Sequence, residues 1–131
     1  MDLQLNLIGG CLILLALVHL IFPRYFNWSA ELASLNLINR QMMLVHTFFI
    51  ALTVLLMGAL CLTSADELIS TVLGKRICLG LAVFWFTRLL IQFFGYSSSL
   101  WKGKVFETVV HVVFSFFWIY VSLVFFMVYI R

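Results

Sequence analysis

Charge is what this chain has least of. Asp, Glu, Lys and Arg make up 10% of its 131 residues, against about 25% in an ordinary soluble domain. So few charges cannot cover a water-facing surface. With 65% hydrophobic residues and a mean hydropathy of +1.17, most of the chain has lipid as its solvent. The excess of positive charge is also small, +3, and it is not gathered on one face as nucleic-acid binding requires. A Gly-rich phosphate loop and a long charged tail are both missing. The three cysteines, Cys11, Cys61 and Cys78, form no C-x-x-C pair, which argues against thiol-redox chemistry. Cys61 and Cys78 flank one connection, but the plainer reading of all three is as small buried hydrophobes.

Carboxylates are scarcer still inside the apolar runs. Glu107 is the one intramembrane example, and it stands four residues from His111. A di-iron carboxylate centre needs about four carboxylates and paired Glu-x-x-His motifs, so the chain fits it poorly. The opening Met1-Asp2-Leu3-Gln4 lacks Lys and Arg, and no A-x-A-like cleavage site follows. The first apolar run is therefore expected to be a retained helix rather than a signal peptide.

What is present is four long apolar runs. At about 20 residues per span, the chain holds four helices with short connections. Helix 1 is expected over about Leu3 to Phe22, stopped by Pro23, which removes a backbone donor and clashes with the preceding turn. Gly9-Gly10 offers a close helix contact. From Tyr25 to Asn39 the pattern changes: Trp28, Leu32 and Leu35 fall at i, i+4 and i+7, so a short interfacial helix is predicted, capped by Asn27 or Ser29. Helix 2 is expected over about Asn39 to Leu62. The connection Thr63 to Lys75 follows, with Ser64 and Glu67 spaced as a capping box and Gly74 as a breaker. Helix 3 is expected over about Lys75 to Tyr96, ended by Gly95 and the serines Ser97, Ser98 and Ser99. Helix 4 is expected over about Val105 to Ile130. The fold class is thus all-α integral membrane: one domain, an up-down four-helix transmembrane bundle with a short interfacial helix between helices 1 and 2. A transmembrane β-barrel is excluded by the length and continuity of the runs. Arg24, Arg40, Lys102 and Lys104 in loops 1 and 3, against Lys75, Arg76 and Arg131, lean toward loops 1 and 3 in the cytoplasm.

Six polar residues within these runs carry the functional signal: His19, His46, Arg88, Gln92, Glu107 and His111. In an up-down bundle they fall within about two turns of one level, at a rise of about 1.5 Å per residue. Arg88/Gln92 and Glu107/His111 are each i, i+4 pairs, and Ser115, Trp118 and Ser122 continue the stripe of helix 4. Lipid offers no hydrogen-bond partner, so such stripes turn inward. An Arg near mid-span costs about 2.5–3.5 kcal/mol on insertion scales, and Glu107 is its natural counter-ion.

Several chemistries fit this set. One is a mononuclear iron, zinc or copper site on His19, His46 and His111, with Glu107 as fourth ligand or base. Arg88 and Gln92 would then orient a substrate, giving a catalytic group of Glu107, Arg88 and Gln92. Another is haem b, with His46 and His111 as axial ligands and Arg88 facing a propionate. Against haem, no glycine at that level makes room for a flat ring. Either site implies redox chemistry on a lipophilic substrate reached from the bilayer. From other classes come a non-enzymatic subunit or scaffold whose polar network is structural, and a small-solute or proton transporter. The lipid bilayer is the expected partner, the aromatic-rich outer faces leave room for a homo-oligomer, and nucleic acid is not expected.

Overall fold

The computed structural model describes residues 2–94, 103 and 105–131, the side chain of Asp2 excepted. Among the described residues the chain is all-helical. Its elements are α1 (Asp2–His19), α2 (Phe22–Tyr25), α3 (Trp28–Glu31), α4 (Leu37–Thr63), α5 (Ala65–Ser70), α6 (Val72–Phe94) and α7 (Val105–Ile130). Three of them, α4, α6 and α7, are long and apolar enough to cross a membrane, and α1 is a shorter apolar helix. The chain divides into two compact units, Asp2–Ala65 and Asp66–Arg131.

The first unit is a hairpin of α1 on α4, joined by α2 and α3. Its seam follows helical spacing. Leu5, Ile8, Leu12 and Ala16 are buried from α1, and Ala51, Val54, Gly58 and Cys61 from α4. The crossing is set by two glycines. A Cβ on Gly58 would lie 2.7 Å from the Gly9 carbonyl oxygen, and one on Gly9 would lie 2.8 Å from that of Gly58. Backbone therefore meets backbone at this level, the close approach that small residues permit between helices in lipid. Gly9 has the role expected of it. Its neighbour Gly10 has no atom within 4 Å of where a Cβ would stand.

The first span ends earlier than expected. α1 stops at His19 rather than Phe22, and Pro23 sits in the first turn of α2, where its missing N–H costs nothing. Asn27 does precede α3, but not as a side-chain cap. It holds φ 53°, ψ 50°, the left-handed conformation Asn tolerates, and makes no capping hydrogen bond. Asn36 precedes α4 in an extended conformation, also without a side-chain cap.

The second unit is α5 followed by the hairpin of α6 on α7. The expected connection from Thr63 to Lys75 is almost entirely helical. Ser64 Oγ lies 3.5 Å from Thr63 Oγ1, and no capping box with Glu67 occurs among the described hydrogen bonds. The cap that matters is Thr71. Its hydroxyl accepts from the Gly74 N–H at 2.9 Å and donates to the Glu67 carbonyl at 2.7 Å. This starts α6 at Val72, and Gly74 becomes an interior residue of α6 instead of a breaker. Gly74 fits because α5 folds tightly against it: a Cβ there would strike the Glu67 carbonyl and Leu68 Cα. α6 buries Cys78, Leu81, Ala82, Trp85 and Gln92. α7 answers with Ser115, Trp118, Val121, Ser122, Phe125 and Val128. The expected terminators of the third span, Gly95 to Ser99, lie outside the described residues, as do Lys102 and Lys104. Cys11 is exposed, while Cys61 and Cys78 are buried as expected.

Candidate functional site

Three of the six singled-out residues come together, and they do so in the α6–α7 hairpin. Arg88 and Gln92 are one helical turn apart on α6, and Arg88 Nη1 donates to Gln92 Oε1 at 3.2 Å. The amide then spans the seam. Gln92 Nε2 lies 3.1 Å from His111 Nδ1 and 3.3 Å from the His111 carbonyl oxygen. Ser115 Oγ donates to the same carbonyl at 2.7 Å. Gln92 is buried and Arg88 and His111 are half-buried. In an apolar seam, each of these groups would be expensive to leave without a partner.

An aromatic block lies against this chain. Trp85 and Trp118 stack at 4.9 Å with their planes 10° apart, and Phe114 lies 5.6 Å from Trp118. The Arg88 guanidinium carbon sits 5.2 Å from the Trp118 ring centroid. A cation over an indole gains electrostatic energy that grows as water is excluded. Phe93 meets the His111 ring edge-on at 5.9 Å. Arg88 therefore spends its described contacts on Gln92 and Trp118. Glu107, an exposed residue one turn before His111, does not form the expected ion pair with it among the described residues. Helical periodicity placed Glu107 and His111 on one stripe. In the structure Glu107 is exposed, whereas His111 is half-buried.

Farther along, three polar groups are buried without a hydrogen-bond partner among the described residues: Trp85 Nε1, Trp118 Nε1 and Ser122 Oγ. The two indoles were not singled out as a pair by the sequence. The available signal was an aromatic on each inward stripe, but many other aromatics offer the same signal.

The other two histidines belong to the first unit. His19 is the last residue of α1; its Nδ1–H donates to the Leu15 carbonyl at 2.8 Å, and its ring packs 4.7 Å from that of Phe22. His46 is exposed on α4, with no hydrogen bond among the described residues. Among the described residues no group of three or more His, Cys, Asp or Glu side chains is gathered as a metal site.

Proton placement separates the histidines as ligands. A carbonyl only accepts, so the contact with Leu15 puts the His19 proton on Nδ1 and leaves the Nε2 lone pair available, as metal-ligating imidazoles require. His111 is the opposite case. Arg88 is donor-only, which turns Gln92 Oε1 toward it and Nε2 toward His111. The amide then donates to Nδ1, and a neutral His111 carries its proton on Nε2. That is the wrong nitrogen for holding a metal or haem iron through Nε2, and flipping the amide would set its NH₂ against Arg88. No family model matches this chain, and neither a curated protein nor a solved structure matches it.

Proposed function

We propose that this chain is a multi-pass membrane protein whose two hairpins form an up-down four-helix bundle, and that it works as a non-catalytic subunit or assembly scaffold. In this reading the intramembrane polar residues hold helices in register. The observation that carries it is the Gln92 amide, whose oxygen serves Arg88 and whose nitrogen serves His111. These side chains hydrogen-bond one another in a chain that crosses a helix seam, as a packing lock does. α1 joins as the fourth span: its 18 residues rise about 27 Å at about 1.5 Å each, close to the hydrocarbon thickness. Broad apolar faces remain exposed on both hairpins, among them Phe48, Phe49 and Leu56 on α4 and Phe84, Phe106 and Phe116 on α6 and α7. Such faces suit lipid and partner helices.

Elemental analysis of untagged protein purified in mild detergent tests this reading. The expected result is no stoichiometric iron, copper or zinc, with His111→Phe lowering thermal stability. A stoichiometric metal that is lost in His46→Ala or His111→Ala would replace the scaffold with a metal or haem centre on His19, His46, His111 and Glu107. The visible spectrum of the same sample would then separate haem from non-haem iron.

A further inference from the structure

A second polar site lies wholly within the first unit, where the connector α2–α3 meets the start of α4. A cleft of about 600 Å³ opens there, lined by Pro23, Arg24, Asn27, Trp28, Ser29, Leu32, Leu37, Arg40, Gln41 and Leu44. Its volume is within the range of small-ligand sites, about 300–1,000 Å³. Two of the chain's arginines line it, with no carboxylate in the lining. Glu31 is nearby in sequence on α3 and exposed, and neither Arg24 nor Arg40 forms an ion pair with it among the described residues. Arg40 goes further: its Nε is buried and without a hydrogen-bond partner among the described residues. A guanidinium N–H held out of water with no acceptor is costly, and more so beside a second positive charge.

The rest of the lining has matching chemistry. Asn27, Ser29 and Gln41 supply neutral donors, and Trp28 supplies an amphipathic ring of the kind enriched at the headgroup layer. Leu37 and Arg40 belong to the first turn of α4, which contains no acidic residue and lacks a side-chain cap at Asn36. The positive end of a 27-residue helix dipole therefore adds to the two arginines. The connector joins two apolar helices, and the inference rests on the membrane reading proposed above, in which such a connector lies at the level of the bilayer phosphates. The cleft thus combines a planar donor fork, a second cation, neutral donors and an apolar floor.

We propose that this cleft binds a phosphate group, with Arg40 as the principal donor and Arg24 as the second cation. The phosphate can come from an anionic phospholipid headgroup or from the aqueous phase. Guanidinium groups match phosphate oxygens in geometry as well as charge, and basic pockets of this kind hold lipid headgroups.

Native mass spectrometry of the full chain, released from mild detergent, tests the proposal with phosphatidylglycerol, phosphatidylcholine and inorganic phosphate as probes. Phosphatidylglycerol is expected to bind more tightly than phosphatidylcholine. Arg40→Gln should weaken it at least about tenfold, the scale of one charge-assisted hydrogen bond. Arg24→Gln should weaken it less, and Arg76→Gln, outside the cleft, should leave it unchanged. Retained phosphatidylglycerol in the presence of excess inorganic phosphate assigns the site to lipid. Displacement by inorganic phosphate, itself lost in Arg40→Gln, assigns it to a soluble phosphate. Equal binding of the two lipids together with no arginine-dependent phosphate binding overturns the proposal. So does unchanged binding in the Arg24→Gln/Arg40→Gln double variant. Far-ultraviolet circular dichroism confirms that each variant compared remains helical.

Discussion

Gln92 is the side chain on which the α6–α7 seam depends most directly. Gln92→Leu keeps most of the volume but removes an acceptor for Arg88 and a donor to His111 together. The expected loss is about 1–3 kcal/mol, the cost of leaving buried polar groups unsatisfied, and thermal or denaturant unfolding in detergent measures it. Ser122 predicts the reverse sign. Its buried hydroxyl has no partner among the described residues, so Ser122→Ala is expected to be neutral or to stabilise by up to about 1 kcal/mol. A loss as large as that of Gln92→Leu would mean that the hydroxyl has a partner after all. At this scale the site was partly legible. Arg88, Gln92 and His111 declared themselves because a polar side chain in an apolar run is costly enough to require a partner. Which partner it takes was not legible. The Arg88–Glu107 ion pair follows from charge alone. The contacts with Gln92 and Trp118 depend on side-chain direction, which a list of residues does not contain. His46 shows the same limit: its place on α4 was clear, but its exposure was not.

Between helices, the glycines separate local preference from packing. Gly9 and Gly58 cross with each carbonyl under the other's missing Cβ, whereas Gly10 and Gly80 face open space. Gly9→Ala and Gly58→Ala should therefore each destabilise the α1–α4 hairpin by about 1–3 kcal/mol, through overpacking against backbone that cannot yield. Gly10→Ala and Gly80→Ala should be neutral or stabilising by up to about 1 kcal/mol, since Ala is the better helix former. Unfolding of the four variants side by side checks the contrast, and equal effects at Gly9 and Gly10 would rule out the close crossing. The elements themselves were read well where a run was long and uniformly apolar: α7 begins and ends where the pattern places it. Misreadings gathered at short connections. Lys75 and Gly74 suggested a late start for α6, yet a single hydroxyl, that of Thr71, was enough to start it at Val72.

For the chain as a whole, the number of crossings decides how the termini lie. Four spans put both on the same side of the membrane, and three put them on opposite sides. Reporter tags fused at residues 1 and 131 are expected to report the same compartment, with α1 counted as a span. Opposite compartments would reduce α1 to a helix that does not cross. Composition and periodicity by themselves determined that the chain is helical, that its long helices are apolar enough to cross a membrane, and that a few polar residues among them need partners. Those conclusions follow from transfer free energy and from the 3.6-residue period, both properties of local sequence. Tertiary structure alone decided that Gly9 meets Gly58, that Trp118 meets both Trp85 and Arg88, that Gln92 fixes the proton on His111, and that Arg24 and Arg40 line one cleft. Each of these depends on the rotation of one helix about its axis or on the rotamer of one side chain. Both are set by packing between segments far apart in sequence, and residue order alone does not specify them.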